Sequence, residues 1–406
     1  MYENLAVLAV FAFVYSAVAG RIERSWLSGP ILFIAFGVAT GPYGLDVLTV
    51  SVDAEGLRAV AELTLAFVLF TDAANTNLAV LRRSLMIPER LLLIGLPLTI
   101  GLGFVVGVVI FPELSMVAVA LLATMLAPTD AALGKPVVTN PAVPAPLRES
   151  LNFESGLNDG ICVPVLLVFL GLAIGVEIEG GTFAHALRVV AEQLGIGVAV
   201  GLGLTSAAAW LVKATASRGW ITAGWAQIPV VALAAACFAL AHELGGSGFI
   251  ACFVGGLLAG AMAKKHKHQL LAAAESTGDM LALFTWVIFG AAVVGQTVGA
   301  FTWDVALYAV LSLTVIRMVP VLLALGGSGL GMEGKLFVGW FGPRGLASIV
   351  FGIIVYHQNL PGGRTLTLVV VCTVMLSVIA HGVTANPLVA AVGERLGKGL
   401  GREGAP

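Results

Sequence analysis

Seven ionisable side chains stand inside stretches that are otherwise apolar: Glu62, Asp72, Asp130, Glu154, Asp159, Arg317 and Arg344. A charge at the centre of a hydrocarbon layer costs at least about 2.5 to 3.5 kcal/mol, so each needs a partner or a task. The densest run reads Asn152-Phe153-Glu154-Ser155-Gly156-Leu157-Asn158-Asp159-Gly160. On a helix, Ser155 and Asp159 share one face through their i, i+4 spacing, and Glu154 with Asn158 shares the adjoining one. One stripe can line a cation site while its neighbour faces a structural partner. A second group is Ala127-Pro128-Thr129-Asp130. Its proline interrupts a helix and frees backbone carbonyls beside Thr129 and Asp130. Hard oxygen ligands of this kind suit Na⁺ or Li⁺, and a carboxylate among them can bind either that cation or a proton. For Asp130 the alternative is a buried Asp–Arg pair that only ties helices together, whereas Asp159 has no base near it in sequence.

The elements that must hold these groups are membrane helices. Of 406 residues, 59% are hydrophobic and only 11% charged, where soluble domains run near a quarter. A mean hydropathy of +1.00 and 50 glycines describe long apolar runs thinned by small residues, the composition of packed transmembrane helices. Nucleic-acid binding is disfavoured, because 21 Lys+Arg against 23 Asp+Glu leave a net charge of −2. The four cysteines, Cys162, Cys237, Cys252 and Cys372, lie in apolar stretches without metal-ligand spacing. No cofactor is expected.

Breaks at charged or Pro/Gly-rich points leave about thirteen apolar segments of roughly 17 to 25 residues, each able to cross a hydrocarbon core about 30 Å thick. Their approximate limits are 4–20, 29–45, 57–75, 90–111, 115–135, 150–174, 185–212, 225–242, 246–263, 278–298, 303–325, 334–357 and 365–391. The expected organisation is one membrane domain over 1–393 with a short tail over 394–406. Alternate loops collect sixteen of the basic residues, against Arg58 and Arg364 on the opposite side. The positive-inside rule then puts the N-terminus outside and the C-terminus in the cytoplasm of a multi-pass cell (inner) membrane protein, which requires an odd number of spans.

The segments also repeat. Pro128, beside Asp130, and Pro343, in Gly342-Pro343-Arg344-Gly345, both interrupt a segment and lie 215 positions apart. The same shift carries segments two to six onto nine to thirteen. This divides the chain into a first repeat over about 1–175, a linker helix over about 185–212 and a second repeat over about 225–391. Seven helices separate partners, so the repeats are inverted. Inverted repeats with one interrupted helix each are the pattern of secondary transporters, which bind their cargo where the interruptions meet.

The chain resembles the NhaP-type sodium/proton antiporters of the monovalent cation:proton antiporter superfamily, the branch that includes the sodium/proton exchangers. The resemblance covers nearly the whole chain. It rests on Ala127-Pro128-Thr129-Asp130, Glu154-Ser155-Gly156-Leu157-Asn158-Asp159, Gly342-Pro343-Arg344-Gly345 and Ala380-His381-Gly382-Val383-Thr384-Ala385 before Pro387. It implies an all-α fold of thirteen transmembrane helices in two inverted six-helix repeats with crossed discontinuous helices. It also implies a homodimer whose six-helix core moves like an elevator against a dimerisation part in the lipid bilayer.

By the same resemblance Asp159 is the ion-binding carboxylate, with Asp130, Thr129, Ser155 and Asn158 around it and Na⁺ held at Asp159, Thr129 and Ser155. Glu154 and Arg317 match a buried ion pair, and Arg344 the arginine at the helix crossing. Asp72 matches an acid on the cytoplasmic funnel; Glu62 is either an outer gate or a packing residue. The Asn158-Asp159 dipeptide replaces the paired aspartates of electrogenic relatives and implies one-for-one Na⁺/H⁺ exchange, serving sodium and pH homeostasis. The short tail implies that the regulatory extension of many exchangers is absent.

Two other readings stay open. Within transport, the cation is K⁺ instead, or the protein is a channel. From another class, Gly245-Gly246-Ser247-Gly248 and Gly326-Gly327-Ser328-Gly329 offer Ser247 or Ser328 to an intramembrane serine protease, with His242 or His381 as base. Both copies fall at segment ends, where a glycine-rich turn is the simpler reading.

Overall fold

A computed structural model describes residues 2–22, 25, 27–49, 55–81, 85–130, 133–174, 182–263 and 267–403. The loop bases Arg24, Arg82, Arg83, Lys264 and Lys265 lie outside these residues. Every regular element among the described residues is helical, as expected where lipid offers the backbone no hydrogen-bond partner. In chain order the longer ones are α1 (Tyr2–Ile22), α2 (Gly29–Thr40), α3 (Glu55–Asn75), α4 (Met86–Ile110), α5 (Met116–Met125), α6 (Ala145–Ala173), α7 (Thr182–Ala216), α8 (Ile228–Glu243) and α9 (Gly248–Ala263). There follow α10 (Lys267–Ile288), α11 (Trp303–Ala324), α12 (Met332–Trp340), α13 (Leu346–Tyr356) and α14 (Gly363–Glu403). A π-helical turn, Leu91–Gly95, lies inside α4, and another, Phe289–Val294, continues α10.

Among the described residues seven helices are long and apolar enough to cross a membrane, and five shorter apolar ones accompany them. The fifth and twelfth segments are each interrupted: α5 ends at Met125, and α12 is separated from α13 by Phe341–Gly345. Shifting the starts Gly29, Glu55, Met86, Met116 and Ala145 by 215 positions lands within four residues of Gly248, Lys267, Trp303, Met332 and Gly363. The internal repeat is therefore present in the helices and not only in the proline spacing.

Two bounds differ from the sequence expectation for one physical reason. The tenth segment begins at Lys267, not near 278, and the last helix runs on to Glu403, through much of the stretch read as a tail. Charged turns such as those bearing Glu275 and Asp279 end an apolar run without ending a helix.

The helices pack as two groups. One gathers α2, α3, α7, α8, α9 and α10; the other gathers α4, α5, α6, α11, α12, α13 and α14. Within the first, Gly256 and Gly260 of α9 lie so close to the backbone of Phe70 and Ala74 in α3 that a Cβ at either would overlap a carbonyl oxygen. Small residues at a four-residue spacing let membrane helices approach and gain dispersion contacts where no hydrophobic effect drives them together. The second group holds both interruptions; α6 joins it to α3, α7 and α9 of the first, α13 to α3, and α14 to α2.

Candidate functional site

The interruptions at Pro128 and Pro343 lie against each other. Pro128 cannot donate to the helix ladder and disfavours the α conformation in Ala127, so α5 unwinds and its last carbonyls lose their partners. The other interrupted segment supplies those partners. Arg344 Nη1 donates to the carbonyls of Ala127 (2.8 Å) and Pro128 (2.9 Å), and Ser348 Oγ donates to that of Met125 (2.9 Å). In return, Asp130 N–H donates to the Pro343 carbonyl (2.8 Å), and Leu346 N–H to Asp130 Oδ2 (2.8 Å). The guanidinium of Arg344 sits at the negative end of α5, where helix-dipole electrostatics favour a cation. Gly345 permits the approach, because a Cβ there would overlap the Asp130 carboxylate.

Helix α6 grips the same segment from the side. Asn158 Oδ1 accepts the N–H of Thr129 (3.2 Å), Asn158 Nδ2 donates to Thr129 Oγ1 (2.9 Å), and Ser155 Oγ donates to the Thr129 carbonyl (2.6 Å). All three polar groups of Thr129 are thereby engaged by α6. The carbonyls that the sequence offered as cation ligands are thus largely taken by side chains, since a buried carbonyl without a partner is costly. Asn158 turns toward Thr129 with Ser155, so the two stripes of α6 do not separate as the spacing alone implied.

Glu154 alone takes the adjoining direction. Its carboxylate receives both terminal nitrogens of Arg317, at 2.6 and 2.9 Å, in a bidentate pair with both residues 2% exposed. Gly342 lies flat against that guanidinium, where a Cβ would overlap it. The pair therefore ties α6 to α11 and to the lip of the second interruption.

Asp159 is 4% exposed, and its Oδ1 is buried with no hydrogen-bond partner. The charges that act on it are those of Asp130, Asp72 and Arg344. A desolvated carboxylate oxygen without a donor is unfavourable as a bare charge, so the chemistry open to it is to take up a proton or a cation. A small cavity at the crossing is lined by Thr129, Asp130, Ser155, Leu151, Phe341 and Pro343, among others. Asp159 is not among the lining residues.

The remaining candidates make contacts of their own. Asp72 is half-buried near the end of α3, and its carbonyl accepts Asn152 Nδ2 from α6 (3.2 Å). Glu62 pairs with Arg58 one turn away on α3 (2.7 Å), with 14% of its side chain exposed. Ser247 accepts the N–H of Ile250 (3.3 Å) at the start of α9, and Ser328 donates to the Leu325 carbonyl (2.8 Å) in a turn. The hydrogen bonds of His381 go to Ser377 and Trp340, so neither candidate nucleophile is one of its partners. Among the described residues no group of three or more His, Cys, Asp or Glu is placed to hold a metal ion. Ser348 and Ser377, which complete the crossing, were not singled out from sequence; a small hydroxyl residue in an apolar helix beside an interruption was the available signal.

The model of the sodium/hydrogen exchanger transmembrane family matches residues 7–391. The K⁺/H⁺ antiporter NhaP2 of Shewanella sp. strain ANA-3 is 22% identical over 378 residues, covering 93% of this chain. The K⁺/H⁺ antiporter NhaP of Alkalimonas amylolytica is 23% identical over 398 residues, covering 95% of this chain. The chain spans 64% and 66% of the length of these two relatives. Two structures of the sodium proton antiporter MjNhaP1 from Methanocaldococcus jannaschii share the fold, each at 20% identity. Their TM-scores are 0.75 and 0.77, and the matches cover 97% and 100% of this chain and 97% and 99% of theirs.

Proposed function

The chain belongs to the sodium/hydrogen exchanger family, and on that premise we propose that it exchanges a monovalent cation, Na⁺ or Li⁺, for H⁺ across a membrane. The observation that carries the proposal is the buried Oδ1 of Asp159, an acceptor without a donor beside a helix crossing whose freed carbonyls are hydrogen-bonded. Cation and proton compete for this one carboxylate. It crosses only when neutralised by one or the other, because a bare charge bears the full desolvation cost. Two ligands that exclude each other at one site, with no passage of the empty anion, give one-for-one electroneutral exchange. Asn158, Thr129 and Ser155 shape the site, Arg344 and Glu154–Arg317 hold the crossing rigid, and Asp72 lies on the approach from the cytoplasm.

The division into two helix groups supports alternating access, with the group that holds the crossing moving against the other. The same reading makes the protein a homodimer in the cell membrane, with its N-terminus outside and its C-terminus in the cytoplasm, serving sodium and pH homeostasis. The distribution of basic residues supports that orientation. No enzymatic step is assigned.

A second reading has one observation in its favour: the relatives from Shewanella and Alkalimonas are named as K⁺/H⁺ antiporters. The experiment that decides uses purified protein in liposomes with an internal acid and a pH-sensitive dye, challenged with Na⁺, Li⁺ or K⁺. Dequenching by Na⁺ and Li⁺, absent in Asp159→Ala, is the expected result. A response to K⁺ alone overturns the cation assignment, no response to any cation overturns exchange, and a response driven by an imposed voltage overturns electroneutrality.

A further inference from the structure

Helix α14 presents Ser377, His381 and Thr384 to the interrupted α12–α13 segment, and the ion site described above uses none of them. Ser377 Oγ accepts the backbone N–H of Arg344 at 2.7 Å. One turn further, the His381 ring places Nδ1 3.2 Å from Ser377 Oγ and 2.9 Å from the Ser377 carbonyl, and Nε2 2.9 Å from the Trp340 carbonyl. Thr384 Oγ1 accepts the Trp340 indole N–H at 3.1 Å. Ser377 and His381 are both fully buried.

A carbonyl oxygen can only accept, and each ring nitrogen faces one, so the neutral ring donates either from Nε2 to Trp340 or from Nδ1 to Ser377. With the proton on Nε2 both nitrogens are used, since Nε2 donates to Trp340 while Nδ1 accepts the Ser377 hydroxyl proton, and this is the tautomer that ties Trp340 to Ser377. Trp340 is the last residue of α12, and Arg344 lies two residues before α13. Both lips of the interruption are therefore tied to one continuous helix through one side-chain chain: Trp340 carbonyl, His381, Ser377, Arg344 amide.

We infer that His381 is a positioning residue for the ion site, fixing the gap over Phe341–Gly345 and with it the placement of Pro343, Arg344 and Leu346 against Asp130. The reach to Asp130 is direct, because Pro343 accepts its amide and Leu346 donates to its carboxylate. The consequence for transport rests on the exchange reading; the consequence for backbone order does not. The hydrogen bonds of His381 go to Ser377 and Trp340 and not to a residue of the proposed ion site, so its loss acts on how well the cation is held.

Deuterium uptake over 341–346 in the purified protein, with cation-dependent exchange in liposomes, tests both halves for wild type, His381→Leu and His381→Gln. His381→Leu is expected to speed uptake at least tenfold and to raise the KM for the cation at least fivefold. His381→Gln, whose amide can donate to Trp340 and accept from Ser377, is expected to keep both within twofold and to leave the pH profile unchanged. Adding Ser377→Ala to His381→Leu should change little more, because both belong to one chain. Unchanged uptake in His381→Leu, failure of His381→Gln to rescue, or faster uptake with an unchanged KM each overturns the inference. An altered pH profile in His381→Gln overturns it too, by making the ring a titrating group. If wild type exchanges no cation, the transport reading has failed, and the uptake data alone still decide whether His381 holds the gap. Should His381→Leu fail to fold, the KM and pH profile of His381→Gln decide.

Discussion

Asp130 caps a helix that begins 216 positions away in sequence: its Oδ2 accepts the N–H of Leu346 at 2.8 Å. Its Oδ1 accepts Leu133 N–H at 3.3 Å, and its own amide donates to the Pro343 carbonyl. The first N–H groups of any helix lack internal partners, and here the partner comes from the opposite repeat. Asp130 thus holds the two interruptions together, whatever share it has in ion binding.

A neutral acceptor should serve much of that role. In Asp130→Asn one oxygen can still receive Leu346 N–H, whereas Asp130→Ala leaves two buried N–H groups unpaired, at about 1–3 kcal/mol each. Thermal unfolding in detergent is expected to place the alanine variant clearly below the asparagine variant, and the latter near wild type. Equal melting of the two would show that the caps contribute nothing to stability.

The Glu154–Arg317 pair predicts a different pattern. Removing one partner strands a buried charge, which typically destabilises by about 3–5 kcal/mol, whereas replacing both by apolar residues is often close to neutral. Glu154→Leu and Arg317→Leu should each lose folded protein on purification, and the double variant should recover most of it. Recovery is measured as the monodisperse fraction on gel filtration; a double variant worse than either single one would contradict the pairing argument.

Much of this architecture was legible in the sequence because lipid makes strict demands. Apolar length marked the spans, and Pro128 and Pro343 marked the interruptions. Their 215-residue separation marked the repeat before any helix end was placed. What could not be read was which polar group takes which partner. Ser155 and Asn158 look like ion ligands by type, yet they hold the backbone and side chain of Thr129. Nothing local to Asp130 announces that Leu346 is its partner, and nothing around Ser348 points to the Met125 carbonyl. A side chain's chemistry is written in its own residue, but its task at a crossing depends on carbonyls and amides that two distant prolines set free.

The contact between the two helix groups near Asp159 gives a prediction about movement. Gly156 of α6 faces the ring of Phe253 in α9, and a Cβ at Gly156 would come within 2.6 Å of Phe253 Cδ2. Phe253 is 1% exposed, so its ring has little room to retreat. Gly156→Val should therefore lower the maximal exchange rate at least tenfold, and adding Phe253→Ala should restore part of it by emptying the space opposite. Initial rates in liposomes at saturating cation measure this. Full activity in Gly156→Val, or no recovery in the double variant, would show that this contact is not where the groups must slide.

Competition at Asp159 makes the pH dependence specific. A proton on Asp159 excludes the cation, so on the acid side of the carboxylate's ionisation each unit fall in pH should raise the KM for the cation about tenfold, by mass action. On the alkaline side the KM should level off. The maximal rate at saturating cation should change far less, because excess cation displaces the proton. Isotopic cation uptake into liposomes held at equal pH on both sides separates the two parameters. Asp159→Asn, which binds neither ligand as a carboxylate does, should abolish uptake, while Asp159→Glu should retain competition with the KM curve displaced along the pH axis. A KM that stays flat while the maximal rate falls in acid would mean that the inhibiting proton binds elsewhere, and Asp159 would then hold the cation without carrying the proton.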